Sequence, residues 1–69
     1  MVRDRQLYVD AFKEVIDEVI DEYGGDPRRV RELVKVVLTE ALKVFKKVEY
    51  EEIKQYAATK LRELGIDLE

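Results

Sequence analysis

The chain has 69 residues, 46% of them apolar and 42% charged, with a net charge of −3 and a pI near 5.0. It contains no Cys, His, Ser, Asn or Trp, which excludes disulfides, thiolate zinc sites and every nucleophile–base pair built on Ser, Cys or His. The length fits a single domain, residues 1–69, burying only roughly 60% of the surface its unfolded form exposes, and the acidic balance disfavours unspecific adhesion to nucleic acid or anionic lipid.

Asp4 is the candidate cap of a first helix over residues 4–23, with Met1 to Arg3 frayed ahead of it. Tyr8, Ala11, Phe12, Val15, Ile16, Val19, Ile20 and Tyr23 then recur every three or four positions, as one face of a helix does. The opposite face carries Asp10, Lys13, Glu14, Asp17, Glu18, Asp21 and Glu22. Gly24 suits a left-handed C′ stop, because glycine takes that conformation without a Cβ clash. Gly25 and Asp26 complete the link. A connection this short returns the next helix antiparallel to the first.

The second helix, expected over residues 27–47, has the strongest signal in the chain. Asp26 can accept a bond from a first-turn amide, and Pro27 sits where its missing N–H costs nothing. Val30, Leu33, Val34, Val37, Leu38, Ala41, Leu42, Phe45 and Val48 fall within about 180° of arc at the helical repeat. The charges at the turn are inverted. Acids end the first helix while Arg28, Arg29 and Arg31 open the second, each the wrong sign for its own macrodipole. The expectation is that Asp17, Asp21 and Glu22 offset the arginines across the turn, at roughly 0–1 kcal/mol per exposed pair.

No glycine or proline follows until Gly65, so one helix of nearly double length would be conceivable on composition alone. The phase of the apolar residues excludes it. Glu51 and Glu52 stand where the second stripe would continue, and the next set (Ile53, Tyr56, Ala57, Leu61, Leu64) is centred about 140° away at the helical repeat. A helix does not turn its buried face that far without breaking. A third helix is therefore expected over residues 50–64, capped at Glu49, with Val48 stapled onto Ile53. Gly65 at C′ and Ile66 at C″, reaching back to Leu61, fit a Schellman stop. Leu68 is placed to cover the end of the bundle.

Little in this inventory can do chemistry. Thr39, Thr59, four tyrosines, the lysines and the carboxylates remain. Lys43, Lys46, Lys47, Lys54 and Lys60 fall on polar faces or helix ends, where burial does not lower an amine pKa. Glu14, Asp17, Glu18, Asp21 and Glu22 share one face at i,i+3 and i,i+4 spacing, a row that Mg²⁺ or Ca²⁺ can visit. Asp21 to Asp26 lacks the alternating ligands of a calcium loop, and a di-iron site needs Glu-x-x-His. A solvated face is the expected reading. The arginines at the second helix N-terminus suit phosphate, but neighbouring acids and the negative net charge weigh against a helix-turn-helix reader. Tyr8, Tyr23, Tyr50 and Tyr56 are expected at the edge of the core.

The run Asp26-Pro27-Arg28-Arg29-Val30-Arg31-Glu32-Leu33, the Gly24-Gly25 stop and the Gly65-Ile66 ending resemble computationally designed (de novo) small helical bundle proteins. Those favour capped starts, glycine stops and Glu/Lys/Arg surfaces, and avoid Cys, His and Trp. The likeness spans the chain in style and carries over no functional residue. The inverted charges at the first turn, glutamate as a cap and valine-rich helices depart from it. A hyperthermophile surface reads much the same way.

The expectations are these. The fold is all-α, a three-helix bundle in which helices 1 and 2 form an antiparallel hairpin and helix 3 packs across it. Its core holds Phe12, Val15, Ile16, Val19, Val34, Val37, Leu38, Leu42, Phe45, Ile53, Ala57, Leu61 and Leu64. The chain is no enzyme and has no catalytic, cofactor-binding or metal-binding residues, no nucleic-acid, membrane or small-molecule partner, and a cytoplasmic setting. It is a thermostable structural bundle of the designed kind. A natural protein–protein interaction module is the alternative, with a nucleic-acid binder behind it. Three mutually covering helices favour a monomer, while Val36 and Leu7, off the stripes, leave a homodimer open.

Overall fold

Asp26 opens the second helix as its spacing predicts. Its backbone is extended (φ −127°, ψ 90°), its carboxylate accepts the Arg29 N–H at 3.3 Å, and Pro27 takes the first helical position. The computed structural model describes the backbone of residues 2–68 and the side chains of residues 5–68. It contains α1 (Val2–Tyr23), α2 (Pro27–Val44) and α3 (Lys47–Glu63), with no strand among the described residues. Every helix touches the other two, in a rod of 39 × 20 × 18 Å. The fold is an all-α three-helix bundle.

α1 begins at Val2, so Asp4 lies inside the helix instead of capping it, and Val2 and Arg3 are helical rather than frayed. Met1 lies outside the described residues. Residues 2–4 contain no glycine or proline, and Asp4 by itself does not halt helix growth toward the terminus. At the other end Gly24 is not left-handed; Gly65 is the glycine with positive φ. Gly24 is required by crowding instead, since a Cβ there would lie 2.6 Å from the Ile20 carbonyl oxygen. The turn closes with the Asp26 N–H donating to the Tyr23 carbonyl at 2.8 Å.

The break between α2 and α3 forms, and it lies earlier than expected. Phe45 (φ −107°, ψ 158°) and Lys46 (φ −75°, ψ 168°) are both extended, so Lys46 is the N-cap and α2 stops at Val44. Lysine has no side-chain acceptor to cap with. Glu49 acts from inside the helix: its Oε1 accepts the Lys46 N–H at 3.0 Å, while Oε2 accepts from Arg5 at 3.0 Å. Glu49 is thus the third helical residue and not the cap. The staple is also absent, because Val48 points to solvent. α3 ends as expected. Gly65 (φ 78°) donates to Arg62 and Ile66 donates to Leu61, both at 2.9 Å, completing a Schellman motif.

The core is Val9, Ile16, Val30, Val34, Leu38, Ala41, Phe45, Ile53, Ala57, Leu61 and Leu68, with Phe12, Val19 and Val37 half-buried against it. The Phe12 and Phe45 rings meet edge to face at 5.0 Å, a favoured aromatic geometry. Val15, Leu42 and Leu64, expected inside, are exposed, whereas Val9 and Leu68 are buried. α1 is covered by two neighbours, so its buried line runs through Val9 and Ile16, seven residues apart, and Val15 is left on the flank. Leu64 is the C-cap of α3 and points away. Leu68 folds back beside Leu38, Leu42 and Tyr50, burying itself while Leu42 stays on the rim.

Candidate functional site

Polar side chains gather along the seam between α1 and α3. Arg5 pairs with Glu49 at 3.0 Å and Lys13 with Glu52 at 2.8 Å. The Tyr56 O–H donates to Asp17, both of whose carboxylate oxygens lie at 2.8 Å. These partners rise together along the two helices, so α1 and α3 run in the same direction and α2 returns between them. The Lys13 and Lys60 ammonium groups lie 5.4 and 5.5 Å from the Tyr56 ring centroid, within cation–π range.

The Tyr56 phenol is held above the usual tyrosine value. The hydrogen bond to Asp17 contributes most, followed by burial and then the negative charges of Asp17 and Glu63. Ionisation would remove the donor and set two anions against each other. The shift favours the neutral form, the opposite of a poised base. The remaining candidates are dispersed. The Thr39 hydroxyl donates to the Lys35 carbonyl at 2.9 Å within its own helix. Asp17 leaves the acidic row to bind Tyr56, and among the described residues no group of three or more acids is placed to hold a metal ion. Tyr50 and Tyr56 lie at the core edge as expected, whereas Tyr8 and Tyr23 are exposed.

The expected compensation across the first turn does not form. Among the described residues no ion pair joins Arg28, Arg29 or Arg31 to Asp17, Asp21 or Glu22. The Arg29 guanidinium instead lies 5.9 Å from the Tyr23 ring centroid, and Asp17 faces α3. A cation held against an aromatic face keeps its donors in water, whereas an exposed ion pair gains little beyond that.

The feature that sequence reasoning largely missed is apolar. On the outer side of the α1/α2 hairpin a groove of about 380 Å³ is lined by Ala11, Phe12, Val15, Val36, Val37 and Glu40. Val36 is 59% exposed there, and further along the same two helices Leu7 (65%), Tyr8 (59%) and Val44 (59%) are exposed as well. Leu7, Ala11 and Val15 form one i,i+4 ridge and Val36, Glu40 and Val44 the other. The off-stripe positions of Leu7 and Val36 were the signal in the sequence. Assigning Val15 to the core concealed the rest. Compared with protein-family models, curated proteins and solved structures, the chain matches none.

Proposed function

We propose that this chain is a structural helical bundle of the computationally designed kind, without a catalytic, cofactor-binding or ligand-binding role. The observation that carries the reading is the composition of the interior. Every buried side chain is apolar, and among the described residues no polar or charged side chain is buried. Chemistry at neutral pH draws on desolvated titratable groups held near a reacting atom. Here the charged groups are spread over solvated helix faces, where they fix solubility and pairing. The style of the caps and stops supports the designed origin, and high thermostability goes with it.

The test is linkage. A ligand that binds only the folded state at a hundred times its Kd stabilises it by about 2.7 kcal/mol. Thermal unfolding with EDTA, Mg²⁺, Ca²⁺, phosphate and nucleotides should leave Tm unchanged within about a degree, with the unliganded transition above about 90 °C. A rise of several degrees with any of these overturns the inert reading, and a Tm near 45–65 °C argues for a natural mesophile domain. The second reading, a module that presents one helix face to a protein, is favoured by the exposed ridges on the α1/α2 hairpin.

A further inference from the structure

We infer that the C-terminal segment Ile66–Leu68 is a latch over the α2/α3 groove, one that opens and closes while the three helices stay folded. It goes beyond the structural reading and does not depend on it. The first observation is the path of the segment. The Schellman stop turns the chain off α3 at Gly65 (φ 78°), and the Ile66 N–H bonded to the Leu61 carbonyl at 2.9 Å forms the root of the latch. Leu68 is its tip. It comes to lie beside Leu38, Leu42 and Tyr50 and is left 8% exposed.

The second observation is how little else holds the tip. Among the described residues Leu68 makes no hydrogen bond to either helix. Open recesses flank the segment, about 540 Å³ beside Lys54, Ala58 and Arg62 and about 280 Å³ beside Pro27, Arg28 and Arg31. Lifting the tip therefore gives up one apolar anchor and disturbs no close packing at its sides. Burial of a single leucine favours the closed form on the order of ten- to a hundredfold, less the cost of ordering the segment. Global unfolding gives up the whole core, so the latch opens far more often than the bundle unfolds.

The third observation is charge. Asp67 lines both recesses, with Arg28 and Arg31 in one and Lys54 and Arg62 in the other, while Lys35 and Lys54 flank Leu68. Among the described residues none of these five cations is held in an ion pair. They repel one another across the groove, and an acid at the tip is drawn into their summed field. Charge steers the latch shut and Leu68 holds it there. Salt at 1 M screens exposed charges beyond about 3 Å, so the steering is salt-sensitive and the anchor is not. Opening uncovers Leu38, 6% exposed with the latch closed, and joins it to the exposed Leu42 in one apolar strip.

Proton–nitrogen heteronuclear NOE values of the full chain test this, with Cα chemical shifts recorded alongside. In the wild type at low salt the Leu68 amide should be as rigid as the helices. Leu68→Ser should drop the values at residues 67 and 68 to those of a free chain end, while α1, α2 and α3 keep their helical shifts. Asp67→Lys should lower the Leu68 value at low salt, and 1 M NaCl should bring variant and wild type together. Lys54→Glu should act in the same direction. Lys47→Glu, the same change of charge outside the groove, should leave the tip as it is. A wild-type Leu68 amide as mobile as a free end overturns the latch. So does a Leu68→Ser chain whose helices melt together with the tip, which would make the segment part of the core. Equal values for wild type and Asp67→Lys at low salt overturn the steering.

Discussion

Tyr56 shows how one side chain ties two helices through a single proton. Its O–H donates to Asp17 across the α1/α3 seam, and its pKa is raised first by that bond. A raised folded-state value means that its contribution is fully present below the unfolded tyrosine value of about 10. The contribution is lost as pH climbs through the folded value. Tyr56→Phe should cost about 1 kcal/mol at neutral pH, as removal of a hydrogen bond does. In urea unfolding the gap between wild type and variant should then narrow above about pH 10. A gap that stays constant into strong alkali would show that the bond to Asp17 contributes nothing in solution. In the core, Ile53 is fully buried, and Ile53→Ala should destabilise by about 2–5 kcal/mol through lost transfer energy and the cavity left behind. A loss below about 1 kcal/mol would mean that the interior is looser than its burial implies. The Tyr56–Asp17 pair was not legible in the sequence. Asp17 reads as one of a row of surface acids, and only the parallel course of α1 and α3 brings the two side chains together.

Helix ends were legible where a residue's own chemistry decides them. Asp26, Pro27 and Gly65 act as their types dictate, since a cap, a missing N–H and a positive φ are local properties. The Phe45–Lys46 break is a different case. No glycine, proline or good cap marks it, and only the change of apolar phase showed that the helix must end. Its position is set by tertiary contacts: Phe45 packs on Phe12, and Glu49 is anchored by Arg5 of another helix. Placing the cap at Glu49 missed this because a carboxylate can serve the same break from three residues inside. Glu49→Ala should therefore cost about 1 kcal/mol, removing the acceptor for the Lys46 N–H together with a partly buried ion pair. Glu51→Ala, on an exposed side chain of the same helix, should stay within about 0.5 kcal/mol. Equal effects at both sites in chemical denaturation would remove Glu49 from the account of the break.

At the scale of the whole molecule, the apolar periodicity located the three helices, but the faces it assigned inward were off centre. A stripe about 180° wide fits contact with two neighbours, but it does not say which edge is covered. Val15 and Leu42 were assigned inward while Val9 and Leu68 do the packing. Val15 lies instead on the uncovered edge of the α1/α2 hairpin, beside Val36. The closed core depends on the break at Phe45–Lys46, which turns α3 back beside α1. Were α2 and α3 continuous, α3 would swing out and two chains would close their cores only by exchanging it. Carbon-13 Cα chemical shifts of the chain in solution test this most directly. They should show three helical stretches, interrupted at residues 24–26 and again at Phe45 and Lys46. Helical shifts running without interruption from Pro27 to Glu63 would contradict the account.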